Sequence, residues 1–101
     1  MLICNITTKV NNSIHDEWLQ WQQQVYIPEM MATGCFEKYQ MSRIFDIDDS
    51  EGATYTVQYY ATEKNAYNRY IKEFASRLQE DAIEKWGDGF VAFSTLMQVV
   101  H

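Results

Sequence analysis

Apolar and polar positions alternate along four stretches of the chain, Leu2 to Val10, Phe36 to Ile47, Thr54 to Ala61 and Phe90 to Val100, with the period of two that a half-buried strand requires. Between the first and second stretches, and again between the third and fourth, apolar residues recur at helical spacing. Strand, helix, strand, twice over, predicts an α+β fold of ferredoxin-like βαββαβ order: a four-stranded antiparallel sheet with helices on one face. In the first stretch Leu2, Cys4, Ile6, Thr8 and Val10 share a face, the one expected to meet the helices. The second puts Tyr39, Met41, Phe45 and Ile47 together, and the third sorts Tyr55, Val57, Tyr59 and Ala61 against Thr54, Thr56, Gln58 and Tyr60.

Helix boundaries follow from turn chemistry. Asn11 and Asn12 suit a turn, and Ser13 with Asp16 three places on resembles a capping box, so a helix is predicted from Ile14. Its stripe runs Ile14, Trp18, Trp21 and Val25, widened by Leu19. Pro28 has no N–H and its ring crowds the preceding turn, which predicts an end or kink near Tyr26 and a further turn through Met31, stopped by Thr33 and Gly34. Asp46 to Gly52 reads as an acidic hairpin loop. A long second helix, capped by Thr62, carries Tyr67, Tyr70, Ile71, Phe74, Ala75, Leu78, Ala82, Ile83 and Trp86 on one stripe and ends at Gly87-Asp88-Gly89.

The last stretch is apolar on both sides, with Val91, Phe93, Met97 and Val99 against Phe90, Ala92, Leu96 and Val100, and the first adds Ile3 to the side away from the helices. Helices cover one face only, so a monomer would show an apolar patch larger than the few hundred Å² that soluble monomers usually carry. Burial of that patch against a second copy predicts a homodimer through the open sheet face, with twofold symmetry. The alternative is a monomer whose scattered aromatics decorate its surface, since single exposed apolar residues are ordinary.

With 101 residues, 47% of them hydrophobic, the chain suits a single domain over residues 1–101 that folds without a metal or disulfide. Eight basic residues against 14 acidic ones give a net charge of −6, with no basic cluster, which argues against nucleic acid and anionic membrane partners. No apolar run approaches the roughly 20 residues of a membrane-spanning helix. The start of the chain, Met-Leu-Ile-Cys-Asn-Ile, is too short and too little charged for a secretion signal, so a cytoplasmic location is expected. Cys4 and Cys35 stand in no CxxC or CxxxH context and read as small buried hydrophobes in a reducing compartment.

Several segments together, Ser13-x-His15-Asp16-x-Trp18-x-x-Trp21, Ile27-Pro28-Glu29, Thr33-Gly34-x-Phe36, Thr54-Tyr55-x-Val57-Gln58-Tyr59 and Phe90-Val91-Ala92-Phe93-x-Thr95, resemble a small bacterial family of unknown function. The resemblance implies a dimeric α/β-barrel with a ferredoxin-like domain. That superfamily also holds cofactor-independent antibiotic-biosynthesis monooxygenases, dye-decolorising and chlorite-decomposing haem enzymes, and plain dimerisation modules. Relatives often carry His where this chain has Tyr26, a departure that weakens any mechanism needing a histidine there.

Candidate chemistry is sparse. His15 lies beside Asp16 and Glu17 at a helix start, where a surface or capping role competes with proton transfer. His101, the terminal residue, is expected to be poorly ordered. Two separated histidines offer no converging ligand set, so neither a metal nor a cofactor is predicted. The Asp46–Gly52 loop lacks the ligand ladder of a calcium site. Asn5, Gln40, Gln58 and Gln98 are polar positions within strands that could form a patch among aromatic walls, and Trp18, Trp21 and Tyr26 could line it. The ligand-binding candidates are therefore Asn5, Trp18, Trp21, Tyr26 and Gln58, for a small apolar or aromatic ligand. Ordinary core packing of the two tryptophans is the competing reading. The expected function is a small-molecule binding or dimerisation module. The alternative is a cofactor-independent monooxygenase-like or isomerase-like enzyme on an aromatic substrate, with no assignable catalytic residue.

Overall fold

The computed structural model describes residues 1–100; His101 and the expectation attached to it lie outside the described residues. The elements are β1 (Leu2–Asn11), α1 (His15–Trp21), α2 (Ile27–Ala32), β2 (Lys38–Arg43), β3 (Gly52–Ala61), α3 (Lys64–Glu73), α4 (Ala75–Trp86) and β4 (Phe90–Gln98). The strands form one antiparallel sheet in the order β2-β3-β1-β4, the ferredoxin-like arrangement that the βαββαβ reading predicts. Register ties Cys4 to Tyr59 and Leu96, and Asn5 to Gln58 and Thr95. Since side chains alternate across a strand, Cys4, Val57 and Tyr59 face the helices while Asn5, Gln58 and Thr95 face away.

The core has two lobes under the helices. One gathers Cys4, Tyr26, Met30, Phe36, Tyr59, Tyr70 and Leu78; the other gathers Val10, Trp18, Ala53 and Tyr55, and both are flanked by Trp21 and Met41. Burial follows the even positions of β1, with Cys4 and Val10 at 3% and 0% exposure. Both thiols are buried and unpaired.

The first helix departs from the predicted stripe. Asn11, not Ser13, is the cap: its side chain accepts the Ser13 N–H, a 3₁₀ turn spans Asn12–Ile14, and the helix starts at His15. Between α1 and α2 a π-helical turn spans Gln22–Tyr26, where the Ile27 N–H donates to the Gln22 carbonyl. Pro28 follows, a residue without an N–H whose ring would strike the carbonyl four places back in a tight α-turn. The wide turn takes up one extra residue, so the stripe skips from Trp18 and Gln22 to Tyr26, Ile27 and Met30. Val25, predicted on the stripe, is exposed as a result.

The predicted second strand is cut to six residues. Asp46 adopts φ +62°, which breaks the extended run and leaves Phe45 and Ile47 exposed in the loop. Phe36 stands ahead of β2 and plugs the core against Tyr59 and Tyr70, at ring distances of 5.3 and 5.1 Å. The predicted long helix is two pieces, broken at Phe74 (φ −127°, ψ −34°), and Glu63, not the predicted Thr62, holds the N-cap position, with no side-chain capping bond. Ala75 and Leu78 still follow Tyr70 into the core, but Ile71 and Ile83 remain outside. Strand β4 ends at Gln98 and not Val100.

Candidate functional site

A cleft of about 450 Å³ opens between α4 and the β1–β4 side of the sheet. Small residues leave the space: Ala82 on the helix and Ala92 and Ser94 on the strand line it, where larger side chains would fill the gap between the layers. Ile6, Ile83 and Phe90 supply apolar wall, and Tyr26, Gln79 and Ser94 the hydrogen-bonding groups. No charged side chain lines the cleft.

Tyr26 reaches this position through the π turn, which advances it onto the core side of the helix. Trp21 holds its ring at 5.1 Å, and Trp21 in turn meets Trp86 edge-on at 5.8 Å. Burial pushes the Tyr26 phenol up to about 12, with the nearby Cys4, Glu29 and Asp81 acting in the same direction. At neutral pH Tyr26 is therefore a protonated donor at the edge of an uncharged cleft.

The five sequence-predicted residues are not brought to one cavity. Tyr26 lines the cleft, Trp21 supports it from behind, and Trp18 packs in the second lobe at 5.6 Å from the Tyr55 ring. Asn5 and Gln58 are register partners on the face of the sheet away from the helices. The sheet itself thus lies between these two amides and the three aromatics, because Asn5 and Gln58 pair on the face opposite that of Cys4 and Tyr59. Sequence reasoning missed Ala82, Ala92 and Ser94, whose smallness is the signal: three short side chains where a helix crosses an edge strand.

His15 is held more firmly than a surface residue. With Nδ1 donating to the Asp16 carboxylate at 2.8 Å, Nε2 accepts the Tyr55 hydroxyl at 2.6 Å, and the two rings stack at 5.7 Å. Tyr55 is 8% exposed, so the phenol is committed to His15 and the chain of groups clamps the helix start to β3. Among the described residues no group of three or more His, Cys, Asp or Glu is placed to hold a metal ion, and no helix is long and apolar enough to cross a membrane.

The family described as a domain of unknown function, DUF4286, matches residues 1–100. The chain belongs to this family. No curated protein matches this DUF4286 chain. Solved structures share its fold at low identity. A dimeric ferredoxin-like protein from an uncultured marine organism is 14% identical with a TM-score of 0.69, covering 100% of this chain and 96% of that one. SnoaB, a cofactor-independent oxygenase from Streptomyces nogalater, is 10% identical with a TM-score of 0.68, covering 99% and 94%. A structure of an antibiotic biosynthesis monooxygenase is 12% identical with a TM-score of 0.66, covering the whole of both chains.

Proposed function

We propose that this chain is a homodimeric small-molecule binding module of the cytoplasm whose α4–β4 cleft takes a neutral, largely aromatic ligand bearing one or two hydrogen-bonding groups. The observation that carries the reading is the cleft itself: an uncharged, apolar-walled space of about 450 Å³ with Tyr26, Gln79 and Ser94 at its margin, a size and composition usual for small-ligand sites. Exposed Val91 and Phe93 on a sheet face without helix cover support the dimer, as does the dimeric ferredoxin-like structure of the same fold. The unpaired thiols suit a reducing compartment.

The test is isothermal titration with 1-naphthol, a planar aromatic with a single hydroxyl. One site per chain is expected. Tyr26→Phe keeps the ring and removes the hydroxyl, and should weaken binding by about fivefold, the value of one net hydrogen bond. Ala82→Trp should fill the cleft and abolish binding. No saturable heat in the wild type, or unchanged binding in Ala82→Trp, would exclude the cleft as the site. The fold shared with a cofactor-independent oxygenase favours a second reading, catalysis on a bound aromatic. Oxygen uptake with polyphenol substrates that Tyr26→Phe removes would favour it over binding alone.

A further inference from the structure

The two edges of the sheet differ. Strand β2 is six residues long and begins and ends on the charges of Lys38 and Arg43, which guard an edge against pairing. Strand β4 runs for nine residues, Phe90–Gln98, with no charge and no proline, and pairs with β1 alone. The bonds that extend this ladder at its two ends give its phase: the Val99 N–H donates to the Met1 carbonyl at 3.0 Å, and the Asn11 N–H to the Gly89 carbonyl at 2.9 Å. Both join residues directly opposite one another, so odd positions of β4 bond to β1 and even positions turn their N–H and C=O outward. Ala92, Ser94 and Leu96 are exposed, which leaves this edge open to a partner strand.

The same even positions face the helices, since they stand opposite Thr8, Ile6 and Cys4 on β1. Ala92 and Ser94 thus line the cleft with their side chains and offer free backbone groups along its strand-side rim. In an antiparallel pair, opposite residues point to one face, so a residue exchanging two hydrogen bonds with Ala92 or Ser94 also sends its side chain towards α4. Charge narrows the partner. The carboxylates of Glu29 and Asp81 lie near enough to act on the Tyr26 phenol at the cleft, and α4 carries Glu80, Asp81 and Glu84 against Arg77 and Lys85. A second β4 strand, itself uncharged, brings no cation to meet them.

We propose that the cleft and the free edge of β4 form one site for an extended, basic peptide segment, which adds to β4 as a further antiparallel strand and places an aromatic side chain in the cleft. This deepens the reading of the cleft as a ligand site and rests on it. Main-chain pairing supplies affinity and the cleft selects the side chain, the division of labour of strand-addition sites. The edge groups lie in the plane of the sheet and the cleft on its helix side, so the peptide leaves the opposite face free for a second copy.

The experiment is isothermal titration of the full chain with acetyl-Lys-Val-Thr-Phe-Thr-Val-Lys-amide, in which Val and Phe alternate with Lys and Thr. One peptide per chain is expected, displaced by saturating 1-naphthol. Methylating the Phe amide nitrogen keeps the ring and removes the N–H, and should weaken binding about tenfold. Glu in place of both Lys should weaken it about threefold at low salt, a difference that about 0.5 M salt removes. 1-Naphthol bound without the peptide, an N-methyl peptide as tight as its parent, or peptide binding untouched by 1-naphthol overturns strand addition and leaves the cleft reading standing. A Glu peptide as tight as the Lys peptide at low salt overturns the basic partner. Neither ligand bound overturns both readings. Sedimentation velocity tests the rival occupant: release of single chains on adding the peptide assigns the β4 edge to a second copy and overturns the proposal.

Discussion

Buried titratable groups set a pH limit on this protein at the level of single side chains. Cys4 is 3% exposed, and burial lifts its thiol from 9.0 to about 11. Tyr26 rises from 10.0 to about 12, and Tyr59 and Tyr70 are pushed upward by the same desolvation. In each case the unfolded chain releases its proton first while the folded chain keeps it. Stability is thus complete below pH 9 and falls as pH rises from there, by at most about 1.4 kcal/mol per pH unit for each group in play. Denaturant unfolding at pH 8, 9 and 10 should show this decline. Cys4→Ala, although less stable throughout, should be flatter between pH 9 and 10, where Cys4 is the first group to titrate. A slope identical to the wild type would mean that Cys4 is not held neutral by the fold. At this scale the sequence was legible as to burial, since Cys4 falls on the apolar face of its strand. The bond between His15 and Tyr55 was not, because 40 positions separate its partners and only the sheet places them together.

At the scale of elements, the alternation of each strand and the stripe of the second helical region were legible because they depend on local spacing alone. The phase of the first helix beyond Trp21 was not. A regular 3.6-residue period points to Val25, whereas the π turn delivers Tyr26, and this one-residue slip decides which side chain meets the cleft. The slip has a testable cause in Pro28. Deleting Gln24, an exposed residue inside the wide turn, restores α-helical spacing between Trp18, Tyr26 and Met30 but forces the proline ring against a carbonyl, at a cost of about 3 kcal/mol. The same deletion combined with Pro28→Ala should be appreciably less damaging, so a double-mutant cycle should show coupling between the two changes. Additive effects would mean that Pro28 does not hold the turn open. The hairpin into β3 is fixed by a different device: a Cβ on Gly52 would lie 1.8 Å from the Val10 carbonyl oxygen, so only glycine lets β3 pair with the end of β1.

For the whole molecule the governing fact is the asymmetry of the sheet. Helices and two core lobes occupy one side, while on the other β4 leaves Val91 and Phe93 at 70% and 62% exposure. This imbalance was legible in the sequence, since both sides of the last strand are apolar. Which cavity the layers enclose was not, because it depends on how far α4 stands from β4. A face of about 600 Å², from strand spacing and rise, with an apolar rim and the Asn5 and Gln58 amides at its centre, suits an association of ordinary strength, because area alone does not set affinity and the amides reduce the net gain. Light scattering should give twice the 11.9 kDa chain mass at tens of micromolar. Phe93→Glu should shift it to the single-chain mass, since a carboxylate would then be buried against apolar surface with no cation near the middle of the face. Phe93 also borders the cleft, so Thr95→Glu, outside the cleft lining and opposite the uncharged Asn5, separates the two roles. If both variants are monomeric and Thr95→Glu still binds 1-naphthol, the cleft works within one chain. If binding is lost with the dimer in both, the second copy supports the cleft wall through β4. Full-mass dimers in both variants would show that the sheet face is not where the copies meet.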